Sequence, residues 1–139
     1  EWDANADVDL LVKDPDGVVL GPKNLSAYQR PRPPLPADPP DAWRGYGFLD
    51  VDSNAGCAVD GRRRENAIWK VAPPAGRYQV RVDLSAPCEQ ARTSFRVVVR
   101  SRGQRLTFAE GALYPIDARV RGEEPDGARG VLACEFSVP

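Results

Sequence analysis

Short runs of alternating apolar and polar residues recur along this chain, and runs with helical spacing do not. Val8, Leu10 and Val12 alternate with Asp7, Asp9, Leu11 and Lys13, a period of two with one apolar face. Asp14-Pro15-Asp16-Gly17 follows as a turn, because proline presets φ and glycine admits φ > 0. Val18-Val19-Leu20 then returns, so residues 7–21 predict a hairpin.

Further strands are predicted over Gly47–Asp52, with Leu49 and Val51 inward, and over Glu65–Val71. Tyr78, Val80, Val82 and Leu84 mark the clearest half-buried strand. Phe95, Val97 and Val99 form another, and Ser101-Arg102-Gly103-Gln104 turns it back toward Leu106 and Phe108. Residues 110–129 read as irregular, and Leu132, Cys134, Phe136 and Val138 place a last strand with one face inward. About eight strands and no long helix predict an all-β fold, a two-sheet antiparallel β-sandwich of immunoglobulin-like or jelly-roll-like type. The 139 residues suit one such domain, 1–139.

One segment breaks the rhythm. Seven of the 14 prolines fall between Pro22 and Pro40, so residues 22–45 predict a long proline-rich loop, unsuited to a central strand. The aromatics Trp2, Tyr28, Trp43, Tyr46 and Phe48 gather around it in sequence. They suit two uses. They can cover a sheet face and pin the loop, or Tyr28, Trp43 and Tyr46 can form a stacking surface for a glycan or a partner.

Charge narrows the range of partners. The net charge is −1, which gives no global attraction to nucleic acid or to an anionic membrane. No apolar run approaches the ~18 residues of a membrane span. The distribution is uneven, with eleven acids and five bases in residues 1–60 against nine acids and fourteen bases in 61–139. Strands from both halves interleaving in one fold would mix these charges; contact between acidic and basic faces of two copies is the alternative. The chain has no Met and starts at Glu1, which reads as a processed chain or an excised domain.

The three cysteines are Cys57, Cys88 and Cys134. Cys57 and Cys88 lie in loop-like sequence, and Cys134 lies in an alternating strand. Cys57 is therefore paired with Cys88, and Cys134 is expected as a free, buried thiol. A disulfide implies an oxidising compartment, hence a secreted, periplasmic or cell-surface location. With no His and no C-x-x-C spacing, a zinc site is not expected.

Leu49-Asp50-Val51-Asp52-Ser53-Asn54-Ala55-Gly56-Cys57 carries the strongest chemical signal. Asp50, Asp52 and Asn54 put oxygens at every second position before a glycine, as a hard cation such as calcium requires. Asp7 and Asp9 form a second D-x-D, and Glu65 follows the loop; all three are candidates to complete the shell. Two other arrangements satisfy the same acids: pairing with Arg62, Arg63 and Arg64, or solvation at strand ends. A serine or cysteine nucleophile finds no histidine base, and no glycine-rich phosphate loop is present, so no catalytic residue is assigned.

Four blocks, in order, resemble the YfaP-like family of exported bacterial domains. Asp7-Val8-Asp9-Leu10-Leu11-Val12-Lys13-Asp14-Pro15-Asp16-Gly17 is similar to the family's D-x-D-L-x-V-x-x-P-x-G opening. Leu49-Asp50-Val51-Asp52 up to Gly56-Cys57 resembles its L-D-x-D block, and Glu65-Asn66-Ala67-Ile68-Trp69 its P-E-N-I-x-W block. Pro74-Ala75-Gly76-Arg77-Tyr78-Gln79-Val80-Arg81-Val82 resembles its P-x-G-x-Y-x-V-x-V strand, and the match covers about residues 2–100. The proline-rich insert and Arg64, in place of proline before Glu-Asn, depart from the pattern. The resemblance implies an exported β-sandwich of unassigned function, a module of larger surface proteins, and no enzyme. The expectation is a secreted, non-enzymatic binding or adhesion module stabilised by calcium. Its alternatives are a self-assembling subunit of a surface layer or filament, and a carbohydrate-binding module.

Overall fold

The computed structural model describes residues 1–27, 46–120 and 128–139. Residues 28–45, most of the expected proline-rich loop with Tyr28 and Trp43, lie outside the described residues. The eight described strands are β1 (Asp7–Lys13), β2 (Val19–Leu20), β3 (Phe48–Leu49), β4 (Ala67–Ile68), β5 (Gly76–Ala86), β6 (Thr93–Ser101), β7 (Gln104–Leu113) and β8 (Val131–Val138). One short helix, α1 (Pro115–Arg119), follows β7 in the stretch expected to be irregular. All the pairings between these strands are antiparallel: a four-stranded sheet in the order β2-β1-β5-β8, and the pairs β3-β4 and β6-β7. Among the described residues no helix is long and apolar enough to cross a membrane.

β5 is the centre of the large sheet, and its alternation decides which face is buried. Tyr78, Val80, Val82 and Leu84 point to the core. Val8, Val82 and Leu84 share one cluster with Trp2, Phe95 and Leu113, so the β6–β7 hairpin packs on the inner face of β1 and β5. Val12, Leu20, Tyr78 and Val80 form a second cluster, with Val97, Val99, Trp69 and Phe136 against it. Phe95 packs over Gly111, where a Cβ would sit 2.6 Å from its ring. Arg102 and Gly103, both at positive φ, make the two-residue turn between β6 and β7 whose twist matches the strands.

Tyr78 anchors the second cluster. Its ring stacks on Phe136 at 4.9 Å and meets Trp69 edge-on at 5.7 Å. Its hydroxyl donates to the Pro74 carbonyl at 2.8 Å. Burial, with Asp14 and Asp16 adding, pushes the phenol up to about 12, so it stays a neutral donor. Tyr78→Phe removes that bond and leaves the Pro74 carbonyl short of a donor, so it should cost about 1 kcal/mol in urea unfolding.

Three expectations change. Leu132, expected inward, is 45% exposed. The β5–β8 register slips between Val80 and Arg81, so Leu132 pairs with Arg81 and Ala133 packs against the core instead. One extra residue turns the preceding side chains to the other face. The strands expected over Gly47–Asp52 and Glu65–Val71 are only two residues each. Asp50 N–H still donates to the Asn66 carbonyl at 3.0 Å, but the returning Asn66 N–H goes to the Asp50 carboxylate at 3.1 Å, and the ladder ends there. Cys134 is free as expected, but half-buried rather than buried.

Candidate metal centre

The outer face of β1 carries Asp7 and Asp9, opposite the face that sends Val8 and Val12 into the core. Both acids are nonetheless buried, at 6% and 5% exposure. What covers them is the loop between β3 and β4. Asn54 takes a left-handed conformation at φ 60, tolerable for asparagine, and turns the chain back over β1. Its Nδ2 donates to the Ala6 carbonyl at 3.1 Å, and its Oδ1 accepts from Asp60 N–H at 3.0 Å. Gly56 N–H then donates to Asp7 Oδ2 at 2.7 Å. The Cys57–Cys88 disulfide, expected from the loop positions of both residues, ties this loop to the turn after β5.

Asp52 comes down from the same loop and is itself exposed. Ligand oxygens of Asp7, Asp9 and Asp52 all lie within 4.8 Å of one another. The donor set is carboxylate oxygen alone, which fits a hard cation such as Ca²⁺ and not a soft one. A groove of about 530 Å³ opens over these acids and runs along the outer face toward Lys13 and Arg81.

Glu65 is a buried acid on the loop side, at 7% exposure. Its Oε2 accepts from Leu10 N–H at 2.7 Å and its Oε1 from Ser53 N–H at 3.3 Å, so it covers the edge of β1 that β2 leaves unpaired. Burial pushes its carboxyl up to about 8, with repulsion from Asp9 and Asp52 adding and the two amide bonds opposing. Glu65 is not among the three acids whose oxygens converge, Asp7, Asp9 and Asp52.

The other sequence candidates are engaged elsewhere. Asp50 is exposed and holds Asn66 through both oxygens, at 3.1 Å to N–H and 2.8 Å to Nδ2. Asn54 spends its amide on Ala6 and Asp60. Arg62, Arg63 and Arg64 make no ion pair among the described residues; Arg63 instead reaches Asn5 Oδ1 at 2.7 Å. Of the aromatics, Tyr46 is 40% exposed, and Trp2 is buried in the core with its indole N–H on the Ala6 carbonyl.

Two residues of the site had no clear signal in sequence. Asp83 sits directly across from Asp9 in the β1–β5 register and is fully buried. Like charges in that position repel. The Arg129 guanidinium offsets them, 2.7 Å from Asp83 and 3.9 Å from Asp9. Gly130 makes this approach feasible: its φ is +75 and a Cβ would lie 2.7 Å from the Val82 carbonyl. The polar position of Asp83 in the β5 alternation could have suggested it. Nothing in the sequence near Arg129 points to its partner.

No family model, no curated protein and no solved structure matches this chain. The functional reading therefore rests on the site itself.

The cluster is anionic on balance. Arg129 lies nearer Asp83 than Asp9, at 2.7 Å against 3.9 Å, while the ligand oxygens of Asp7, Asp9 and Asp52 lie close to one another. A divalent cation between them would meet carboxylate oxygens alone. Asp7, Asp9 and Asp52 are the residues that would hold it.

Proposed function

We propose that this chain is an exported, non-enzymatic two-sheet β-sandwich module that acts by binding or assembly and is stabilised by calcium. The observation that carries the reading is the convergence of Asp7, Asp9 and Asp52 under a disulfide-tied loop. The packing of Phe95 and Leu113 against Val8, Val82 and Leu84 supports two stacked sheets. The disulfide supports an oxidising compartment. The ordered blocks similar to YfaP-like domains support a module of a bacterial surface protein. The lack of His and of a phosphate loop favours binding over catalysis.

The test is thermal melting with and without chelator, joined to calorimetric titration with Ca²⁺. A cation bound only to the folded state adds about 2.7 kcal/mol at a hundredfold excess over Kd. Chelation should lower Tm accordingly, and Asp52→Ala should abolish the response. An unchanged melt together with no calcium binding at millimolar concentration rejects the cation.

A further inference from the structure

We infer that the β6–β7 hairpin is an arm that docks on an anionic lipid surface through Arg102, Arg105, Leu106 and Phe108. This deepens the reading as a binding module by naming its partner, and it does not depend on the cation.

The hairpin outruns the core it packs on. Val97 and Val99 still lie against the cluster around Tyr78. Beyond them every residue from Arg100 to Leu106 is exposed. The ladder also changes there. Val99 pairs with Thr107 and Arg100 with Arg105, so Leu106 is an extra residue with none opposite it. A bulge of this kind re-aims a side chain. Leu106 and Phe108 are each 49% exposed, and neither packs against a core cluster.

The charge on the arm has one sign. Between Val97 and Ala109 the sequence holds Arg100, Arg102 and Arg105 and no acid. The next acid along β7, Glu110, is taken by Arg96 at 2.8 Å. Among the described residues none of the three arginines makes an ion pair. Arg100 and Arg105 sit directly across from each other, a like-charge pair that costs stability until an anion meets it. Arg105 lies over the Phe108 ring at 4.9 Å, so charge and apolar surface are presented together. The net charge of −1 does not cancel this locally, because salt screens charges on the surface beyond about 10 Å.

Charge and shape together select the occupant. The depression on this face is shallow, about 260 Å³ between Val98 and Phe108, and offers little to seat a peptide. A lipid surface needs no groove. Arginines meet its phosphates while the apolar side chains beside them enter the headgroup boundary. A second copy of the same arm would set arginine against arginine. β7 lies across β6 from the Glu1–Asp3 segment, which bonds to Ser94 and Arg96. A strand along that outer edge of β6 therefore leaves Arg105, Leu106 and Phe108 uncovered.

The test is co-sedimentation, in chelator, with vesicles of phosphatidylcholine mixed with phosphatidylglycerol, against phosphatidylcholine alone. Binding should require the anionic lipid and be lost in high salt. Arg102→Gln and Arg105→Gln should each weaken the partition about fivefold. Leu106→Ser should weaken it by a similar factor and leave the salt dependence unchanged. All three side chains are exposed, so each variant should keep the parent's melt. The comparison of vesicles needs no variant, so the test survives if one fails to fold. Equal binding to neutral vesicles, binding to neither, or binding that these variants leave unchanged overturns the inference. Retention of soluble polyglutamate without vesicle binding assigns the arm to an acidic polypeptide and also overturns it. Binding that appears only when calcium replaces chelator places the lipid at Asp7, Asp9 and Asp52 and overturns it too. Vesicle binding in chelator with no calcium response in calorimetry rejects the cation alone, and a calcium response without vesicle binding rejects this inference alone.

Discussion

Reduction of the Cys57–Cys88 bond should lower stability by roughly 3–4 kcal/mol, the chain-entropy value for a closed loop of about this size. The bond spans 31 residues, and within that span only β4 and β5 are regular strands. The covering loop's other anchors are hydrogen bonds: the Asn54 amide, the Gly56 bond to Asp7, the Glu65 bond to Leu10, and the Arg63 bonds to Asn5 and to Trp2 N–H. Without the disulfide, Asp52 and Gly56 lose their fixed position over β1, so calcium affinity should fall with stability. Urea unfolding of the double variant Cys57→Ser/Cys88→Ser measures the first effect, and calcium titration of the same variant measures the second. Cys134 is untouched in this design, so thiol chemistry there does not confuse it. A midpoint change worth under about 0.5 kcal/mol would show that the loop is held by its hydrogen bonds alone.

The second large effect is a pH dependence centred on Glu65. Its folded-state carboxyl sits at about 8, above an ordinary value of 4.5. A carboxyl raised in this way favours folding fully below the unfolded value, and the contribution is lost as pH rises through the folded one. In chelator, stability should therefore fall between about pH 4.5 and pH 8, by on the order of 3–5 kcal/mol. Asp14, raised by burial, adds in the same direction at the acid end. Asp3, Asp60 and Glu135 are lowered by hydrogen bonds and titrate below this window. Glu65→Gln should flatten the profile, since the amide oxygen can still accept from Leu10 and no charge forms. Calcium should shrink it only in part, because a cation beside Asp9 and Asp52 would offset the repulsion that Glu65 feels and leave the larger effect of burial in place. A parent profile as flat as that of Glu65→Gln would show that Glu65 ionises without cost.

The two effects meet in one piece of structure, the loop from Asp50 to Asn66 closed over the outer face of β1. It turns a strand face that would otherwise be wet into a covered acidic site.

Local pattern made much of this legible. A period of two needs only neighbouring residues, so the buried faces of β1, β5 and β6 follow from Val8, Val82 and Phe95 and their alternates. Turn residues announce the β6–β7 hairpin. Loop against strand placement pairs Cys57 with Cys88. D-x-D spacing marks Asp7, Asp9 and Asp52 as oxygen donors. Tertiary structure decided what spacing cannot carry. The slip at Val80/Arg81 turned Leu132 outward, because register depends on the partner strand. Asp50 and Asn54 share the spacing of Asp52 but found nearer partners, in Asn66 for one and in Ala6 and Asp60 for the other. Arg129 met Asp83 across 46 residues, and the Glu1–Asp3 segment met β6 across more than ninety. Such contacts are set by how loops close over sheets, and the physical reason is that burial and charge pairing act through space, whereas periodicity records only the direction a side chain takes from its own strand.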